Sequence, residues 1–257
     1  LIPVAGFNPL DEQGVESLVF AILDEDQRQI LLKDKEFDFS FAFGTLGRFR
    51  VNAYHERGNL AAALRLIPNE IKSVVELGMP NVVMSFADFP RGLVLVTGPT
   101  GSGKSTTLAA LVDKINTEKA AHIITIEDPI EYEFPQGQGL VHQCELGAHF
   151  TNHESALSDV LRRDPDVILL GELRDLASIE LALRFAETGH LVLATLHSAN
   201  ATDAILRVVD VFPSTSRDFV RHVLSNVLLG VVAQRLLTCN TPTAHQGRIA
   251  NSAVLTN

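Results

Sequence analysis

Two hydrophobic rhythms divide the chain near residue 90. From Asp11 to Leu23, the apolar residues Val15, Leu18, Val19, Ile22 and Leu23 fall at i, i+3, i+4, i+7 and i+8, which predicts an amphipathic helix. The period then drops to two. Phe37, Phe39, Phe41 and Phe43 alternate with Asp38, Ser40 and Ala42, and Gly44 to Gly47 reads as a turn. Arg48 to Tyr54 alternates again. Phe49, Val51 and Ala53 share one face, so Arg48, Arg50 and Asn52 share the other. After a turn at Glu56–Asn59, Leu60 to Ile67 forms a third strand that stops at Pro68. The pattern predicts an antiparallel meander beside a helix, a small α+β domain over residues 1–90.

Beyond Arg91 strands alternate with helices. Leu93–Val96, His122–Ile126, Val167–Leu170 and Leu191–Leu196 are short apolar strands. Between and after them, helices are predicted at Ser105–Ile115, Ser155–Arg163, Leu176–Glu187 (capped by Asp175) and Asn200–Val211, with one or two more across Ser214–Leu237. Short buried strands separated by helices imply a parallel sheet covered on both faces, so residues 91–257 read as an α/β domain. From Thr238 onward Pro, Thr, Asn and Gly become common, and the chain ends within what reads as a β-hairpin.

Composition narrows the class. Of 257 residues, 46% are hydrophobic and 20% charged, which excludes a largely disordered chain. No apolar run approaches the roughly 20 residues of a membrane span, and no basic segment followed by an apolar one opens the chain. The first residue is Leu1, so further sequence is expected before it. A net charge of −10 counts against a protein built mainly to grip nucleic acid. Cys144 and Cys239 form neither a CxxC pair nor a metal spacing, which fits reduced thiols in a cytoplasmic protein.

The strongest chemical signal is Gly98-Pro99-Thr100-Gly101-Ser102-Gly103-Lys104-Ser105, which matches GxxxxGK[ST] between a predicted strand and a predicted helix. Its glycines let the backbone curl so that N–H groups point at phosphate oxygens, and the helix N-terminus adds a positive dipole end. Lys104 is placed to meet the β- and γ-phosphates of ATP, and the Ser105 hydroxyl to bind Mg²⁺. A triphosphatase also needs carboxylates at neighbouring strand ends. Glu127 and Asp128 follow one strand, with Glu131 a weaker candidate beyond them, and Glu172 follows another. Gly171 stands where that second strand would be expected to carry Asp, so Glu172 must orient the Mg²⁺ shell, the attacking water, or both, with Arg174 as a potential ion-pair partner. His190 and His197 bracket a buried strand. Position favours His197, at its carboxyl end, as a sensor of the γ-phosphate or water, and leaves His190 evenly balanced between structure and function.

GPTGSGKSTT (98–107, which takes in Thr106), TIEDPIEY (125–132), DPDVILLGELRD (164–175) and TGHLVLATLHS (188–198) stand in order. They resemble the Walker A, Asp box, atypical Walker B and His box of the secretion-type ATPase superfamily, and within it the PilT-like retraction ATPases of type IV pili. FDFSFAFGTLGRFRVNAY (37–54) and LRLIP (64–68) are similar to that family's N-terminal domain. The resemblance implies a PAS-like domain joined to a RecA-like ATPase domain in a homohexameric ring. It further implies Mg-dependent ATP hydrolysis at the cytoplasmic face of the inner membrane, peripheral to it, acting on a membrane-embedded pilus platform protein. It makes Arg48, Arg50 and Arg65 candidates to reach the nucleotide phosphates. The absence of a four-cysteine zinc motif favours retraction, whereas the C-terminal helical segment typical of retraction enzymes is not in this sequence. Cys144 stands where the family usually has Arg. The alternatives are an extension or secretion ATPase, an accessory retraction subunit, a catalytically idle ring subunit and, disfavoured by charge, a nucleic-acid translocase.

Overall fold

The computed structural model describes residues 5–44, 47–67, 70–145, 149, 156, 159–238 and 248–256. The chain divides into two compact units, Leu1–Asn69 and Glu70–Asn257.

In the first unit, α1 (Glu12–Ala21) and α2 (Glu25–Asp34) precede three strands, β1 (Glu36–Phe43), β2 (Gly47–Glu56) and β3 (Asn59–Ile67), paired antiparallel in the order β1-β2-β3. The predicted helix is shorter than its apolar pattern, and Leu18 faces solvent; Val19 and Leu23 carry the packing. The second helix starts where Asp24 and Gln27 cap each other's backbone N–H groups. Leu31, Phe39, Val51 and Ala53 complete the small core. The predicted strand face holds: Val51 and Ala53 are buried, and Arg50 lies directly opposite Arg65 on the other side of the sheet.

The second unit is a seven-stranded sheet in the order β10-β9-β4-β8-β7-β5-β6. The strands are β4 (Gly92–Thr97), β5 (His122–Glu127), β6 (Leu140–Glu145), β7 (Val167–Leu170), β8 (Leu191–Leu196), β9 (Leu228–Thr238) and β10 (Arg248–Thr256). All neighbours pair parallel except β10, which runs antiparallel to β9. Alternate residues serve opposite faces. Leu93, Leu95, Ile124, Ile168 and Val192 pack towards α5 (Leu176–Glu187), α6 (Ala201–Asp210) and α7 (Arg217–Val227). Val94, Val96, Ile123, Leu169 and Leu193 pack towards α4 (Lys104–Glu118).

Two expectations need correction, and one strand has no counterpart in the sequence pattern. The change of rhythm near residue 90 is not the division between units. Val74, Met79, Val83 and Phe86, from the turns and short helix α3 (Asn81–Ser85) that precede β4, pack in the second core with Val94 and Leu108. Only the first half of Ser214–Leu237 is helical. Its second half is β9, whose Val231 and Val232 pair with Leu95 and Val96 inside the sheet. The β6 edge strand was not anticipated. The helix predicted over Ser155–Arg163 lies largely outside the described residues, of which 156 and 159–161 are helical.

Phe86 is fully buried, and a Cβ on Gly230 would come within 2.4 Å of its ring. Phe86→Ala should therefore cost about 3–5 kcal/mol, as core aromatic truncations do. Urea denaturation of the whole chain measures it, and an unchanged midpoint would remove residues 70–88 from the second core.

Candidate active site

Parallel strands deliver their carboxyl ends to one edge, and the candidate residues emerge there. After β4 the chain curls through left-handed backbone at Gly98 (φ 152), Gly101 (φ 75) and Gly103 (φ 91) before entering α4. At Gly98 a side chain is also impossible on space: a Cβ would lie 2.2 Å from the carbonyl oxygen of Gln234 and 2.6 Å from Ser102 Oγ. Ser102 Oγ is buried without a hydrogen-bond partner. A buried orphan hydroxyl inside a ring of glycines is the chemistry of an anion cradle.

Lys104 is only 8% exposed. Its Nζ donates to Gly98 O and Pro99 O, each at 3.1 Å, and lies 3.5 Å from His197 Nδ1. Burial pushes its pKa below the ordinary value, while the carboxylates of Glu172 and Glu131 pull it back up. His197, just past β8, continues the chain of contacts, with Nε2 3.1 Å from Glu172 Oε1. The other Glu172 oxygen accepts from Arg174 Nε at 2.9 Å, and Arg174 Nη1 reaches Asp128 Oδ2 at 3.3 Å. Arg207 Nη1 donates to the His197 carbonyl at 2.8 Å and holds the turn beyond β8. Lys104, His197, Glu172, Arg174 and Asp128 thus form one connected series.

Glu127 belongs to a different arrangement. Its Oε1 accepts from Thr125 Oγ1 at 2.7 Å and from Gln143 Nε2 at 3.1 Å, and its Oε2 accepts from the Glu131 N–H at 3.4 Å. Burial raises its pKa against these donors. Gln143, on β6, also donates to Tyr132 O at 2.6 Å and accepts from Phe134 N–H at 3.2 Å, so it braces the loop after β5. The Tyr132 hydroxyl meets Thr106 Oγ1 at 2.9 Å and ties that loop to α4 beside Ser105. Gly171 fits this crowding: a Cβ there would lie 3.3 Å from both Glu127 Cα and Ile126 O.

One candidate of the second unit lies elsewhere. His190 sits at the amino end of β8, the far end from the phosphate loop, where its Nδ1 contacts Phe185 O and Thr188 Oγ1, each at 3.0 Å. Arg48, Arg50 and Arg65 lie in the first unit, with Arg48 Nη2 donating to Ser40 Oγ at 2.6 Å. Two residues escaped the sequence reading. Gln143 left no signal, because the strand that carries it is not visible in the sequence pattern. Gln234 and Arg235 interrupt an apolar run, and Gln234 is buried against the loop.

The donor set fits Mg²⁺ carried with a nucleotide: Ser105 and Glu172 offer hard oxygens, and this ion takes few protein ligands when phosphates supply the rest. Among the described residues, no group of three His, Cys, Asp or Glu side chains could hold a metal by itself.

Residues 34–256 match the type II/IV secretion system protein family. The chain belongs to this family. Among its relatives, a twitching motility protein of Neisseria gonorrhoeae is 46% identical over 96% of this chain and 65% of its own length. A type IV pilus retractation ATPase, PilT, of Pseudomonas aeruginosa is 48% identical over 89% of this chain and 67% of its own. The crystal structure of the pilus retraction motor PilT with bound ADP has a TM-score of 0.89 at 47% identity, covering 95% of this chain and 70% of that one. The chain therefore spans about two thirds of the length of these family members.

Because burial raises Glu127 above its ordinary value near 4.5, its ionised form opposes folding. That cost is absent below the unfolded pKa, grows through the folded one and is complete above it. Glu127→Gln, which keeps an acceptor for Thr125, should raise the melting temperature at pH 8 and leave it nearly unchanged at pH 4.5. A gain independent of pH would show that the carboxylate is not the cause.

Proposed function

We propose that this chain is the motor portion of a type IV pilus retraction ATPase. It binds ATP with Mg²⁺ on residues 98–106, hydrolyses it by in-line attack of water, and works as a homohexamer at the cytoplasmic face of the inner membrane against a pilus platform protein. One observation carries the reading: the buried Lys104 is linked through His197 to Glu172, at the strand ends beside a glycine cradle. The relatives described as a twitching motility protein and a pilus retractation ATPase support the retraction role. No helix among the described residues is long and apolar enough to cross a membrane, which suits a peripheral motor.

Each side chain has a task that its surroundings allow. Lys104 exchanges backbone carbonyls for β- and γ-phosphate oxygens. Glu172 orients the attacking water and takes its proton. His197 and Arg174 fix both oxygens of that carboxylate, so little reorganisation is left for the moment of reaction. Bound Mg²⁺ would offset phosphate charge, with Ser105 and Glu172 as its protein ligands. Glu127 supports the Glu131 backbone from within. His197 lies between the lysine and the carboxylate, so movement of either on γ-phosphate loss alters the turn held by Arg207.

Arg50 and Arg65 are directly opposed across β2 and β3, so both can face one polyanion, and a triphosphate supplies one. Arg48, Arg50 and Arg65 then offset γ-phosphate charge across a domain or subunit boundary.

Lys104→Ala should abolish ATP turnover in the folded chain. Glu172→Gln should bind ATP but hydrolyse it about 10²–10⁴-fold more slowly, with a smaller loss for Glu127→Gln; the reverse order would move the base role to Glu127. In cells, the Lys104→Ala chain should leave pili assembled but unable to retract. Loss of assembly instead would assign the motor to extension.

Mixing Lys104→Ala chains with Arg50→Ala chains tests the arginine assignment. Partial recovery of turnover is expected if the arginine reaches a neighbouring subunit. No recovery would confine its action to its own chain.

A further inference from the structure

Gln234 holds the phosphate loop by both ends of its side-chain amide. It lies on β9 and is 4% exposed. Its Nε2 donates to Ser102 O at 2.8 Å, and its Oε1 accepts from Thr107 Oγ1 at 2.9 Å. The loop is pressed against it at two glycines. A Cβ on Gly98 would meet the Gln234 carbonyl at 2.2 Å, and one on Gly103 would meet Nε2 at 2.8 Å. The Gly98 contact belongs to the backbone of position 234, whereas Gly103 packs on the carboxamide itself.

The orientation of one peptide follows from the first bond. In a planar trans peptide, the C=O of one residue and the N–H of the next point to opposite sides. Nε2 draws Ser102 C=O towards β9, so Gly103 N–H is turned away from β9. The Ser102 carbonyl only accepts, so a flipped amide would set oxygen against it, while the Thr107 hydroxyl in the first turn of α4 steadies the other end of the carboxamide.

We infer that Gln234 is a positioning residue for nucleotide binding. Its carboxamide fixes the Ser102–Gly103 peptide so that Gly103 N–H faces the bound phosphate. The inference rests on the loop being a nucleotide site, and it adds a residue more than a hundred positions along the chain that sets the loop's shape. The competing role is purely structural: an amide that satisfies buried groups and joins β9 to α4. The two roles differ in what the folded protein does. A structural amide, once lost, lowers the folded fraction but leaves the affinity of that fraction intact. A positioning amide, once lost, weakens ADP and ATP alike and spares the chemical step, because binding is lost equally from ground and transition states.

The test uses Gln234→Met, Gln234→Glu and Thr107→Val in the whole chain, with ADP titration by calorimetry, ATP turnover in Mg²⁺ and thermal melts. For Gln234→Met, the Kd for ADP and the KM for ATP should rise about tenfold, about 1.4 kcal/mol, with kcat within about twofold of wild type. Gln234→Glu keeps the length and the Thr107 bond but sets a carboxylate oxygen against Ser102 O, so its loss should be at least as large. Thr107→Val keeps the Ser102 bond and should lose less than about threefold by the same uniform-binding argument. Wild-type Kd in the folded fraction of both Gln234 variants would overturn the inference. So would a Thr107→Val loss equal to that of Gln234→Glu, which would assign the effect to packing against α4. If the unaltered chain binds no ADP, the nucleotide reading itself fails, and that outcome is visible without any variant.

Discussion

An ammonium group withdrawn from water has to be compensated by its surroundings, and Lys104 imposes that requirement on the whole carboxyl edge of the sheet. Burial disfavours its charge. Two backbone carbonyls accept from it, and the fields of Glu172 and Glu131 offset part of the cost. Both glutamates are held in turn. His197 and Arg174 hold Glu172, and Glu127 accepts the Glu131 N–H. The same requirement accounts for the binding capacity of the site. A lysine resting on weak neutral acceptors gains by exchanging them for phosphate oxygens, which are charged and form stronger hydrogen bonds.

The sheet makes this compensation possible because its direction is uniform where it matters. β4, β8, β7 and β5 are adjacent and parallel, so the phosphate loop, His197, Glu172 and Glu127 leave the core within a few residues of one another. Side chains on these strands are buried on both faces, and a one-residue slip would carry each functional residue into the core. Thr97 and Ser198 lock the two central strands together just beyond the sheet, with Ser198 N–H donating to Thr97 Oγ1 at 2.9 Å.

What could be read from the sequence followed local chemistry. The phosphate loop, the strand ends at Glu127, Glu172 and His197, and the arginine face of β2 all announce themselves through spacing and residue type. The parts that stayed hidden are those set by contact between distant segments. Leu228–Thr238 follows a helix without a proline to break it, and pairing with β4 and β10 makes it a strand. Residues 70–88 show no strong period because they fill gaps on a sheet face formed later in the chain. Gln234 reads as an ordinary polar interruption until β9 is placed behind the loop. The capping residues Asp24 and Gln27 were a usable signal for α2, but that helix buries only Leu31, so its apolar pattern was faint.

The two glutamates at neighbouring strand ends divide the work through their surroundings. Glu172 is 26% exposed and is held by a cation and a histidine, groups that steady a charged carboxylate without removing it from solvent. Glu127 is held by a hydroxyl, a carboxamide and a backbone N–H, all neutral, and burial raises its pKa. The base proposed here, which has to face water and the phosphates, is served by the first environment. A residue that shapes the loop carrying Glu131 and Tyr132 is served by the second. The missing side chain at Gly171 belongs to the same division: a Cβ there would lie 3.3 Å from Glu127 Cα and press on the neighbouring strand end, and the carboxylate expected at position 171 is carried one residue later. At Glu172 it meets His197 and, through it, the lysine that created the need.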